Sequence, residues 1–182
     1  MSLKPHTLST LISSNVIRER ISKLVDDIAV NHDSNDFVMI GILRGSFVFL
    51  ADLVRALDSH NLHPRIDFIT LESYYGGMDS TGSVEVKKDI EVDVNGADIL
   101  LVDDILDTGR TLTHAISHIH GKGARTIQTC ALLDKPARRV VDLQADYVGF
   151  TIEDTFVVGY GLDYDSYYRE LPYIAQVQLT EG

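Results

Sequence analysis

The sequence predicts an α/β protein organised around a central, mainly parallel β-sheet flanked by helices. Three observations point there. Phe37–Leu43 and 99–102 are unbroken apolar runs, and the strand-length stretch 124–133 ends in another at 129–133. Strands covered on both faces need not alternate, so such runs suit the interior of a parallel sheet. After the first two runs come short Gly-containing turns, then apolar residues at helical spacing: Phe47, Leu50, Ala51 and Val54, and later Leu112, Ala115, Ile116 and Ile119. Charged and hydroxylated residues collect at the carboxyl ends of these runs, where open α/β sheets bind their ligands.

The chain has 182 residues, a size that suits one domain, with 45% hydrophobic and 24% charged residues, as in ordinary globular proteins. We read residues 1–182 as a single domain. Its net charge of −11 argues against nucleic acid as a partner, because such binding rests on cationic contacts to phosphates. An anionic ligand must then be met locally, by backbone N–H groups, a few Lys and Arg, and a metal. The single cysteine, Cys130, excludes an intramolecular disulfide and lies in an apolar run as a buried thiol. No apolar run approaches membrane-span length and no signal peptide opens the sequence, so the expectation is a cytoplasmic protein without a membrane partner.

In chain order, residues 1–12 carry no pattern. Ile17, Ile21, Leu24, Val25 and Ile28 then recur at helical spacing, with charges on the other faces, giving an amphipathic packing helix. The strand Phe37–Leu43 runs into Arg44-Gly45-Ser46, a cation and a glycine at a strand end. A third strand, 66–71, leads into the polar, glycine-bearing stretch 73–83, which predicts a mobile loop able to act as a lid. Residues 84–87 alternate as the returning arm of a hairpin, and Asn95-Gly96 is a turn. The strand 124–133 stops at Asp134-Lys135-Pro136, since Pro136 cannot continue a central ladder. This puts Lys135 on the ligand side, with a solvated tip as its ordinary alternative. Residues 147–150 form the last clear strand.

The most informative stretch is 99–111. Four aliphatic residues are followed by Asp103 and Asp104 at the predicted strand end, then by Asp107-Thr108-Gly109-Arg110-Thr111 at a helix start. A helix N-terminus offers unpaired N–H groups and the positive end of its dipole to a phosphate. Gly109 permits close approach, and Thr108 and Thr111 add hydroxyl donors. The carboxylates would repel a bare phosphate but suit sugar hydroxyls or Mg²⁺. A ligand combining sugar, phosphate and metal accounts for both halves. An ordinary strand–helix junction accounts for one acidic residue, as an N-cap, but not for three.

This stretch closely resembles the phosphoribosyl pyrophosphate (PRPP) signature of the type I phosphoribosyltransferases. Leu43-Arg44-Gly45 resembles their pyrophosphate loop, in which the peptide before the basic residue is often cis. Ser73-Tyr74 is similar to the Ser-Tyr pair in the flexible loop of the 6-oxopurine members. Leu132-Leu133-Asp134-Lys135-Pro136 and the run from Phe156 to Tyr164, with Arg169 after it, resemble the purine site of the hypoxanthine-guanine phosphoribosyltransferases.

The resemblance implies the type I phosphoribosyltransferase fold, with a core of about 13–150 and a hood built from 151–182 and the N-terminal residues. It implies a Mg²⁺-dependent glycosyltransferase of purine salvage, joining hypoxanthine or guanine to PRPP to give IMP or GMP and pyrophosphate, and a homodimer or homotetramer. Asp103 and Asp104 would hold the ribose hydroxyls and Mg²⁺, with Asp163 at a second Mg²⁺. Residues 107–111 would take the 5′-phosphate, with Asp107 as general base. Leu43, Arg44, Gly45 and Arg169 would meet pyrophosphate. Lys135, Phe156, Val157 and Asp163 would read the purine. Many members have Glu where this chain has Asp103, and Lys where it has Thr155. The sequence also admits two other readings: a PRPP-sensing regulator that binds RNA, and an enzyme acting on another base such as xanthine.

Overall fold

The computed structural model describes residues 3–32, 37–73 and 84–180. Its elements are, in order, β1 (His6–Ile12), α1 (Ser14–Asn31), β2 (Phe37–Leu43), α2 (Phe47–Leu57), β3 (Arg65–Ser73) and β4 (Val84–Lys88). They continue with β5 (Asp98–Leu106), α3 (Arg110–Gly121), β6 (Thr126–Asp134), β7 (Tyr147–Thr151), β8 (Val157–Val158) and β9 (Ile174–Leu179). Six strands form one sheet in the order β4-β3-β2-β5-β6-β7. All its pairings are parallel except β3 with β4.

The apolar runs are continuous because both faces of this sheet are covered. Phe37 and Met39 of β2 pack towards α1 and α2, beside Leu24, Ile28 and Leu53. Val38, Ile40 and Ile42, on the opposite face, join Leu112, Ala115 and Ile119 of α3. The expectation for Phe37–Leu43 and for the amphipathic helix therefore holds.

Two expectations need correcting. The strand carrying the acidic pair does not end at the carboxylates but runs on to Leu106, because β6 lies alongside and pairs Asp103 with Ala131 and Ile105 with Leu133. The link to α3 shortens to Asp107, Thr108 and Gly109. Nor is the N-terminal segment patternless. His6–Ile12 pairs antiparallel with β9, and β9 pairs with β8, giving a three-stranded sheet that joins the two ends of the described chain.

At its other end β5 is stapled to β6. Arg125 and Thr126 donate hydrogen bonds to the Asp98 carboxylate and hold its pKa down, at about 2. A depressed folded pKa contributes stability that is present above the ordinary value of 3.8 and lost as pH falls through about 2. Asp98→Asn is therefore expected to lower unfolding stability by about 1 kcal/mol at neutral pH, the pair being partly exposed. The deficit should shrink below about pH 3, and urea unfolding at the two pH values measures it.

Candidate active site

The connection from β5 to α3 forms the floor of a cavity of about 260 Å³, lined among others by Arg44, Gly45, Asp103, Asp104, Asp107 and Thr108. Gly109 has φ +85°, and a Cβ there would lie 2.5 Å from a Val141 methyl. Only glycine fits both the conformation and the contact. The loop's carbonyls are turned into the protein. Arg139 donates to the carbonyls of Asp107 at 3.1 Å, Leu106 at 3.2 Å and Leu143 at 2.7 Å, and pairs with Asp134. Val140 N–H donates to the Thr108 carbonyl at 3.1 Å. With its carbonyls fixed from beneath, the loop leads into the α3 N-terminus, where the first-turn N–H groups lie beyond the reach of intrahelical acceptors. That end of α3 opens on the cavity through Thr111 and Leu112.

Asp103 is only 6% exposed, and its Oδ1 accepts from the Asp104 N–H at 3.0 Å. Burial, and then the neighbouring Asp104 charge, holds the Asp103 carboxyl well above the ordinary carboxylate range; burial raises Asp104 too. A carboxyl whose folded pKa is raised contributes stability below its unfolded value of 3.8 and loses it as pH rises through the folded value. At neutral pH the burial of this carboxyl therefore opposes folding. Asp103→Asn, which keeps the acceptor for Asp104 N–H, should raise the apo Tm by roughly 2–4 °C at pH 7, about 1 kcal/mol for a chain of this size. The gain should shrink as pH falls towards 3.8 and vanish below it, near about pH 3, where the unfolded chain also protonates Asp103. Thermal melts at both pH values test this.

On the other flank, the Leu43–Arg44 peptide is cis. Ser46 Oγ donates to the Ile42 carbonyl at 2.6 Å and fixes the turn into α2. Gly45 packs directly on the Asp104 carboxylate: a Cβ at Gly45 would lie 1.6 Å from Asp104 Oδ2. From the opposite side, Gly161 approaches the Gly45 carbonyl so closely that a Cβ on it would lie 2.1 Å away. This turn borders a second cavity, about 480 Å³, shared by Arg44, Asp104, Asp163 and Arg169. Arg169 pairs with Asp163 at 2.6 Å and donates to the Gly161 carbonyl, while Asp163 Oδ2 accepts from Ser166 N–H at 2.7 Å. Asp163 is thus already engaged by two donors.

Lys135 is not solvated. Its side chain is buried, its Nζ donates to the Thr155 carbonyl at 2.6 Å, and its N–H donates to the Leu106 carbonyl at 3.0 Å. Loss of hydration lowers its pKa. Val157 is buried on β8, and Phe156 before it is 49% exposed. The Phe156 ring is met edge-on by Tyr164 at 5.3 Å, and Tyr164 by His6 at 5.4 Å, so β1 buttresses the ring.

Arg138 and Arg139 were not singled out in the sequence. Arg138 Nε donates to Asp107 Oδ1 at 2.7 Å and its Nη1 reaches Asp154 at 3.5 Å, spanning from the loop to the segment before Phe156. The available signal was two cations directly after Lys135-Pro136 at a strand's carboxyl end. Ser73 ends β3; Tyr74 and the rest of the expected lid lie outside the described residues. A larger groove between α1 and α2, about 580 Å³, shares none of the residues expected to bind ligand. The chemistry is therefore assigned by the converging polar groups, not by cavity size.

A mainly parallel sheet whose central strand carries two carboxylates near its carboxyl end and leads through a glycine-bearing turn into a helix start defines a phosphoribosyltransferase-type site. The family model for the phosphoribosyl transferase domain matches residues 11–165, and the chain belongs to that family. Among its relatives, the hypoxanthine phosphoribosyltransferase of Escherichia coli K12 is 41% identical over 179 residues, covering 97% of this chain and 98% of that protein. The hypoxanthine-guanine phosphoribosyltransferase of Aquifex aeolicus is 41% identical over 172 residues, covering 94% and 95%. The crystal structure of a hypoxanthine-guanine phosphoribosyltransferase from Bacillus anthracis superposes with a TM-score of 0.88 at 42% identity, covering 93% of this chain and 98% of that one. The expected fold class is thereby established.

Proposed function

We propose that the chain is a purine-salvage enzyme that transfers the 5-phosphoribosyl group of PRPP to N9 of hypoxanthine or guanine, giving IMP or GMP and pyrophosphate. The observation that carries this reading is the convergence of Asp103, Asp104 and the 107–111 loop with a buried lysine, Lys135, at one end of the sheet. In the reaction N9 forms a bond to C1′ with inversion while the C1′–oxygen bond breaks and pyrophosphate leaves. No protein nucleophile is required. Alignment and fixed dipoles can supply the catalysis.

The α3 N-terminus and the loop hold the 5′-phosphate, with Thr108, Gly109, Arg110 and Thr111 around it. Asp103 and Asp104 accept from the ribose hydroxyls. Arg44, the Gly45 turn and Arg169 receive the leaving pyrophosphate. Lys135 has no acceptor, so its ammonium suits the O6 of a 6-oxopurine and disfavours the amino group of adenine. Phe156 offers a ring face for the base. Asp107, steadied by Arg138, hydrogen-bonds the imidazole edge and takes its proton.

Two adjacent, crowded carboxylates fit a hard divalent cation that takes its remaining ligands from substrate oxygens and water. Mg²⁺ held by Asp103 and Asp104 would offset the charge of PRPP and of the leaving group. Asp163 would reach a second ion only by giving up Arg169. We read the chain as one domain acting in a homodimer or homotetramer. No helix among the described residues is long and apolar enough to cross a membrane. To test the reading, purified protein with PRPP, Mg²⁺ and hypoxanthine is assayed for both products. Equimolar nucleotide and pyrophosphate, abolished by EDTA, are expected; intact PRPP after incubation contradicts it.

A further inference from the structure

Lys87 stands where the β3–β4 ladder loses register. Leu71 pairs with Val86 and Thr70 with Lys88, which leaves Lys87 as the extra residue of a bulge. Bulges re-aim side chains and are frequent beside active sites. Here the Lys87 ammonium lies 3.0 Å from Glu85 and 3.5 Å from Glu72, and the side chain lines the cavity of about 480 Å³ that holds Arg44, Gly45 and Arg169. Lys88, in regular register, pairs with Glu91 instead.

Charge in that cavity makes the placement matter. Arg44 and Arg169 face Asp104, Asp163 and Glu72, so without Lys87 the carboxylates outnumber the cations where a polyanion must sit. We propose that Lys87 is a third pyrophosphate-binding cation, exchanging its carboxylate partners for a pyrophosphate oxygen when PRPP or the product occupies the cavity. This rests on the function proposed above and adds a binding residue to it. The competing role is purely structural. Glu72 and Glu85 lie opposite each other across the ladder, and like charges so placed repel unless a cation joins them.

Lys87→Met and Lys87→Arg separate the two roles. Pyrophosphate binding is read by calorimetry with Mg²⁺ and by inhibition of the forward reaction. Lys87→Met should weaken pyrophosphate and raise the KM for PRPP on the order of tenfold, the worth of one charge-assisted hydrogen bond, leaving the KM for hypoxanthine unchanged. Lys87→Arg should stay within about threefold of the parent chain, since the charge remains. The same Lys87→Met loss should persist in a Glu72→Gln, Glu85→Gln background, where no acidic pair needs joining. Unaltered pyrophosphate affinity in Lys87→Met, or a loss that disappears in the Gln background, would overturn the proposal. Turnover by the parent chain keeps the proposed function standing in either case; its absence would count against that function instead.

Discussion

Lys135→Ala should lower kcat/KM for hypoxanthine by about 10²-fold, the upper end for removing one hydrogen bond to a charged donor. PRPP binding should persist, because the phosphate loop is held by Arg139 and Val140 and not by Lys135. The lysine is buried with its ammonium on the Thr155 carbonyl, next to Phe156, so it reaches the base site already ordered. Its truncation also strips that carbonyl of its donor. Lys135→Met, which fills more of the space, separates loss of the charge from loss of packing. PRPP affinity by calorimetry beside steady-state kinetics makes the check. An unchanged rate with hypoxanthine would remove Lys135 from base recognition.

Gly45→Ala should damage the other half of the site. The added carbon would fall 1.6 Å from Asp104 Oδ2 and 2.3 Å from its Cγ, so the carboxylate or the turn must move. The turn cannot retreat easily, since Gly161 closes on the Gly45 carbonyl from the other side. Overpacking of this kind costs about 1–3 kcal/mol in stability. A displacement of about 1 Å at a reacting site can cost on the order of 10²-fold in rate. The KM for PRPP should rise steeply, with a Tm lowered by several degrees and little change in the intrinsic affinity for the base. Kinetics with PRPP varied, beside a thermal melt, reads both effects. Normal PRPP kinetics would mean that the Gly45–Asp104 contact is not part of the binding surface.

What the sequence made legible follows the range of the interactions involved. β2 could be read end to end because its signal is local: seven residues, the first six of them buried, and then a turn. The end of β5 could not, because the local signal stops at Asp103 while the ladder with β6 continues, and that partner lies some thirty residues further on. β1 and β9 were missed for the same reason. Each is short and partly polar, and each becomes a strand by pairing with the opposite end of the chain.

Within the site, Asp103, Asp104 and the 107–111 loop stood out because strand, carboxylates and helix start are contiguous. The burial of Lys135 depends on Thr155, and the contact of Arg138 with Asp107 spans 31 positions; neither leaves a local mark. Gly45 was legible as a turn glycine, but its reason for being glycine is the Asp104 carboxylate on another strand.

The described site is expected to join PRPP to a 6-oxopurine and not to another base. The most direct measurement offers hypoxanthine, guanine, xanthine, adenine and uracil in turn to the purified protein with PRPP and Mg²⁺, following ultraviolet absorbance. Turnover of hypoxanthine or guanine is expected, with none of adenine, whose amino group cannot accept from the Lys135 ammonium, and none of uracil, which has no imidazole edge to offer Asp107. Turnover of adenine or uracil, or of no base while PRPP still binds, would contradict that expectation.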